Sequence, residues 1–159
     1  MYDLNEYVFH KIYGVLFVEG FETIELNNEK IKYYVLSMPF SQNETTRVKL
    51  PIDNCEMISN FPNKDELNSL TDKLQNIKSI WIPESKKRIK VYENIFYNAD
   101  IPTIFSYLKA LYEHKDVIKL TIKDQNFMRR AEQIIFSLIS VGLNINYKDV
   151  KAYLLGETI

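Results

Sequence analysis

Three groups of cationic residues in this 159-residue chain are spaced for contact chemistry rather than for catalysis. Arg47 and Lys49 stand two apart in RVKLP. Strand side chains alternate between faces, so the two cations project side by side, with Thr45 on their face and Thr46, Val48 and Leu50 on the other. Pro51 has no N–H to give a ladder and ends the strand. The second group lies in WIPESKKRIK, residues 81–90, which carries the single tryptophan of the chain. Lys86, Lys87 and Lys90 point away from a helix whose inward side holds Ile89, Tyr92, Ile95 and Phe96. Arg88 sits on the flank of that stripe, where its stem packs and its head reaches water. The third group is weaker: Arg129 points outward, and Arg130 flanks the buried side of a later helix. Such cations neutralise phosphates and release counterions, and a flat ring beside them can wedge at an unstacked base step. The residues alone leave a second reading open, a solvated helix face with Trp81 in the interhelical core.

Other chemistry is missing. The four glycines, at 14, 20, 142 and 156, are too scattered for a phosphate-cradling loop or a dinucleotide fingerprint. His10 reads as a strand surface residue and His114 as a cation at a helix C-terminus, neither with partners at metal-ligand spacing. No nucleophile–base pair and no convergent carboxylate pair can be named. The sequence therefore predicts no catalytic residue, metal, cofactor or small-molecule substrate, and the chain is not expected to be an enzyme. Cys55, the single cysteine, precludes an internal disulfide framework and fits a reducing compartment. MYDLNEY at the start lacks a basic segment followed by an apolar run, and no stretch nears the ~18 apolar residues of a membrane span. A soluble, cytoplasmic protein without membrane contact is expected.

The elements that must carry these groups change character along the chain. Residues 1–60 hold five Lys/Arg against nine Asp/Glu, and residues 61–159 hold fifteen against twelve, so the halves are net −4 and +3. Opposite signs suit two modules with different partners. In the first, Tyr7–Phe9 is a short strand, Gly14 a turn, and 15–26 a longer strand with Gly20 as a bulge or bend. Asn27-Asn28 suits a tight turn. Residues 31–39 and 45–50 form a hairpin around the polar break Ser41-Gln42-Asn43. Four short strands with one bend imply a small curved sheet or barrel.

From residue 62 the apolar period becomes 3.6. Asn63 caps a helix with the stripe Leu67, Leu70 and Leu74, running to about Ile77. Pro83 fits the first turn of a second helix through Phe96. Asp100 caps a third with Pro102 in its first turn. Thr121, with Asp124 three residues on, opens a fourth that ends at Gly142 or Asn144. A last short helix covers roughly 147–155, stopped by Gly156. The expected class is α+β: a β module over 1–60, then an all-α bundle of about five helices over 61–159.

In order along the chain, YVFHKIYGVLFVEGFE (7–22), KIKYYVLSMPF (30–40), RVKLPIDN (47–54), residues 81–115 and RRAEQIIFSLI (129–139) resemble the CarD family of bacterial transcription regulators. The first half is similar to the polymerase-interaction module of transcription-repair coupling factor. That resemblance implies a Tudor-like β module that binds the RNA polymerase β subunit, and a helical module that contacts promoter DNA, weakly and without sequence preference, at the upstream edge of the bubble. It places the polymerase contact on Lys49, with Arg47 beside it, and the basic DNA run on Lys87, Arg88 and Lys90. The implied action is stabilisation of the open promoter complex. Here Trp81 lies about a helical turn before its usual place, which Ser85 occupies, and Ile24 stands where a basic residue is common. The alternative is an adaptor that binds polymerase or another partner without touching DNA.

Overall fold

The computed structural model describes residues 1–40 and 46–157. The chain divides into two compact units, Met1–Phe61 and Pro62–Ile159, and the class is α+β.

The first unit is one antiparallel sheet of β1 (Tyr7–His10), β2 (Gly14–Leu26), β3 (Glu29–Ser37), β4 (Arg47–Pro51) and β5 (Ile58–Asn60), in the order β4-β3-β2-β1-β5. Gly14 turns β1 into β2 with φ 80°, where a glycine pays no Cβ penalty. Asn27 and Asn28, both at positive φ, make the tight β2–β3 turn. The register between those strands shifts at Val18/Gly20, the expected bulge, which leaves Glu19 unpaired on the ladder. One face is the core: Val8, Leu16, Val18, Tyr34, Leu36 and Ile58, with Val48 and Leu50 packed against it. The expectation for β4 holds where it can be seen, since Val48 and Leu50 face inward and Arg47 and Lys49 outward. Thr45 and Ser41-Gln42-Asn43 lie outside the described residues. Sequence reading misses β5, a three-residue strand beside β1 that is too short to show a period.

His10 corrects another expectation. It is buried rather than a surface residue, because β1 is covered here by the turn that follows it. Its Nδ1 accepts hydrogen bonds from the backbone N–H of Ile12 (3.0 Å) and Tyr13 (3.2 Å), which requires a neutral ring. Burial lowers its pKa from 6.5 to about 4.

The second unit consists of α1 (Lys64–Asn76), α2 (Ser85–Tyr92), α3 (Ile95–Asn98), α4 (Ile101–His114), α5 (Ile122–Leu143) and, after a 3-10 turn at Tyr147–Asp149, α6 (Val150–Leu155). Asn63, Asp100 and Thr121 cap α1, α4 and α5 with their side chains, and Asn144 and Gly156 end α5 and α6 in the left-handed conformation. The long helix α5 touches α1, α2, α4 and α6 and supplies Phe127, Ala131, Ile134, Ile135 and Leu138 to the core. Gly142 lies inside α5 rather than ending it. A Cβ there would collide with the Leu67 side chain, so glycine permits the close approach of α1. The second helix also differs from expectation. Pro83 precedes it, Glu84 is its cap residue, and it stops at Tyr92, leaving Ile95 and Phe96 to α3. The extra break makes six α-helices among the described residues instead of about five.

The buried neutral histidine gives the sheet unit a pH dependence. Between pH 6.5 and 4 the unfolded chain binds a proton that the folded one does not, so stability falls as pH is lowered through that window. The loss approaches roughly 3 kcal/mol at its acid end. Slowest-exchanging amides of β1 and β2, followed from pH 7 to 5, should show reduced protection, and His10→Asn should flatten the slope.

Candidate interaction surfaces

On the outer face of the sheet, Arg47 pairs with Glu19 (2.6 Å) and Lys49 with Glu22 (2.7 Å). The geometry follows from the register. Arg47 lies opposite Ser37 and Lys49 opposite Val35 on β3, and β2 lies beyond. Strands are about 4.8 Å apart, so each cation must reach across a whole strand. Short Ser37 and Val35 leave room for the long side chains to do so. The bulge supplies Glu19 as the first acid. The Lys49 side chain remains 47% exposed and that of Arg47 38%, and β4 is an edge strand. Exposed pairs of this kind contribute at most about 1 kcal/mol each. They hold the cations in place across the sheet.

In the second unit, Lys86, Lys87 and Lys90 are all exposed on α2, and Lys87 makes only a surface pair with Glu84 (3.2 Å) among the contacts described. Arg130 is exposed on α5, with its guanidinium 5.8 Å from the Phe96 ring centre. Arg88 overturns its expectation. Its head does not reach water: the residue is 3% exposed and its guanidinium grips Asp124 with two 2.7 Å bonds, Nε to Oδ1 and Nη2 to Oδ2. Nη1 donates to the carbonyl of Ile82. The reason is the partner, a fully buried carboxylate in the first turn of α5 that no helical period of α2 could announce. Arg88 is therefore buried and committed to Asp124, and is not presented to a phosphate as a surface lysine is.

Asp124 is the hub of this cluster. Besides Arg88 it accepts the Tyr92 hydroxyl (2.8 Å) and the Thr121 N–H (2.9 Å), closing the capping box of α5. Burial alone would raise its pKa, but the bonds from Arg88, Thr121 and Tyr92 outweigh that and hold it down to about 2. Burial and the Asp124 carboxylate push the Tyr92 phenol up. Trp81 joins the cluster from the other side. Its ring is half-buried, stacked on His114 at 3.8 Å and 7° between planes, with the Arg88 guanidinium 4.8 Å from its centre. His114 is oriented in turn by a 2.8 Å bond from Nδ1 to the Ala110 carbonyl. So Trp81 sits beside the Lys86–Lys90 ridge, as expected, but its ring is already engaged. Sequence reading had Trp81, Arg88 and Asp124 each on the page without a way to join them.

The described residues thus present two exposed cationic surfaces, one on an edge strand of the sheet unit and one on α2 of the helical unit. Among the described residues no group of His, Cys, Asp and Glu could hold a metal ion, and no helix is long and apolar enough to cross a membrane. Residues 2–62 match the family model described as the CarD-like/TRCF RID domain. The match spans the sheet unit, which is thus similar to the CarD-like/TRCF RID domain. The helical unit lies beyond the matched residues, and no curated protein matches the chain.

The buried pair sets an energetic expectation for the helical unit. Arg88→Met strands the Asp124 charge in the core and should cost about 3–5 kcal/mol, whereas Lys87→Met should stay within about 0.5 kcal/mol. Denaturant titration followed by Trp81 emission reads both.

Proposed function

We propose that this chain is a transcription regulator that docks on the RNA polymerase β subunit through Arg47 and Lys49 and brings its helical unit to promoter DNA, stabilising the open complex. The observation that carries the reading is the match of residues 2–62 to the CarD-like/TRCF RID domain, within which the β4 edge displays those two cations to solvent. In this reading the sheet is a Tudor-like domain acting in the cytoplasm of a bacterial cell. Docking exchanges the internal acids Glu19 and Glu22 for carboxylates on the polymerase, at little net cost because the internal pairs are weak.

The DNA contact is assigned to Lys86, Lys87 and Lys90, with Arg130 as an outlying cation. Arg88 and Trp81 act behind them: the buried salt bridge fixes α2 against α5, and the stacked ring fixes the segment leading into α2. Few phosphate contacts suffice once polymerase raises the local concentration of DNA. That resolves the tension with a net charge of −1 for the whole chain. No catalytic step is assigned.

A second reading, an adaptor that binds polymerase without DNA, draws support from one observation: the tryptophan and arginine expected at DNA are engaged with His114 and Asp124. The two readings divide on the lysines. Charge reversal at Arg47→Glu and Lys49→Glu should abolish capture by a purified β-lobe fragment while the thermal unfolding midpoint stays put; undiminished capture would refute the docking. Replacing Lys86, Lys87 and Lys90 by Gln should leave capture intact but shorten open-complex lifetime several-fold, most at low salt. Equal lifetimes favour the adaptor.

A further inference from the structure

The connection from α4 into α5 reads KDVIKLTIK over residues 115–123, with three lysines and one acid. Among the described residues of the helical unit it carries the two most exposed large aliphatic side chains, Val117 at 78% and Ile122 at 75%. Between them Ile118 and Leu120 are half-buried and anchor the segment. Its backbone is fixed at both ends. Val117 N–H and Ile118 N–H both donate to the His114 carbonyl at 3.0 Å, and Thr121 closes the α5 capping box with Asp124. Those two ends are also the two supports of the Trp81 cluster, since His114 stacks on the indole and Asp124 holds the arginine lying over it. The segment is therefore rooted in the same cluster from which α2 sends out Lys86 and Lys87.

We propose that Val117 and Ile122 are the apolar side chains this unit inserts at an unstacked DNA step, with Lys119 and Lys123 as their phosphate partners. This rests on the DNA contact assigned above and moves its wedge from Trp81 to the α4–α5 connection. Three considerations select nucleic acid as the occupant. An aliphatic wedge needs a free side chain, and these two are free where the indole is stacked. The exposed lysines around them, Lys115, Lys119 and Lys123, face Asp116 as the one acid of the segment, a balance that suits phosphates. Protein interfaces are depleted of lysine at their centres. A membrane surface, the remaining candidate for a basic segment with exposed aliphatics, is held by a continuous apolar helix face, and here Asp124 and the half-buried Leu120 interrupt it.

The full-length chain is titrated at low salt with a forked DNA carrying 2-aminopurine at its junction, and with the matching closed duplex. The native chain should prefer the fork and raise the 2-aminopurine emission as the step unstacks. Val117→Ser with Ile122→Ser should lose about tenfold in fork preference, together with the emission rise, and bind the duplex as before. Trp81→Phe should keep both fork signals. Unaltered preference in the serine double variant, at an unchanged unfolding midpoint, overturns the proposal while leaving DNA binding standing. A native chain that binds neither DNA defeats the underlying reading itself. Sedimentation with phosphatidylglycerol vesicles that is lost in the serine variant, without any effect on fork binding, overturns the proposal in favour of a lipid surface.

Discussion

The helical unit depends on one buried ion pair. Arg88 and Asp124 are 3% and 0% exposed, thirty-six residues apart in sequence, and joined by two short bonds. Withdrawing two charges from water is expensive, and such a pair is tolerable only when the remaining lone pairs and protons find partners. Here most do: Ile82 takes another guanidinium proton, and Tyr92 and Thr121 fill the carboxylate. The pair contributes specificity more than net stability. α2 has only eight residues, too few for a helix to persist in water unaided. Its position is set by Arg88 below it and by Tyr92 stacked on Phe127 at 4.2 Å. The exposed lysines inherit that position.

The sheet unit works by the opposite economy. Its cations are shared with acids across a strand, in pairs left open to water and correspondingly weak. A weak internal pair keeps a long side chain extended and pointed while costing little to break. Burial is reserved for the inner face, where Tyr34 and Leu36 pack beneath the same strand that the cations cross. The neutral His10 at the far side of the sheet belongs to that inner economy, accepting the backbone protons of Ile12 and Tyr13.

The two units thus place their charges by different physics, one by a desolvated lock and one by an exposed ladder. In each, the exposed cations are not the residues that cost most to bury. Lysines sit on the lock's outer side, and Arg47 and Lys49 stand on an edge strand whose inner face is core. These exposed cations can be changed without threatening the fold.

What the sequence by itself determined is whatever depends on near neighbours. Alternation in RVKLP put Arg47 and Lys49 on one face; Asn27-Asn28 and Gly14 marked turns; Asn63, Asp100 and Thr121 marked helix starts; and Gly20 marked the bulge. All of these are set within a few residues by sterics and local hydrogen bonds. What only the tertiary structure decided is pairing at a distance. Arg88 looks like one more cation of a basic run until Asp124 arrives from α5 to claim it, and Trp81 looks free until His114 slides under it. His10 looks exposed until the following turn folds over it, and β5 is invisible until β1 offers it an edge. A side chain's local pattern tells which way it points, but burial and partnership depend on what else occupies that direction. Only the folded chain supplies that.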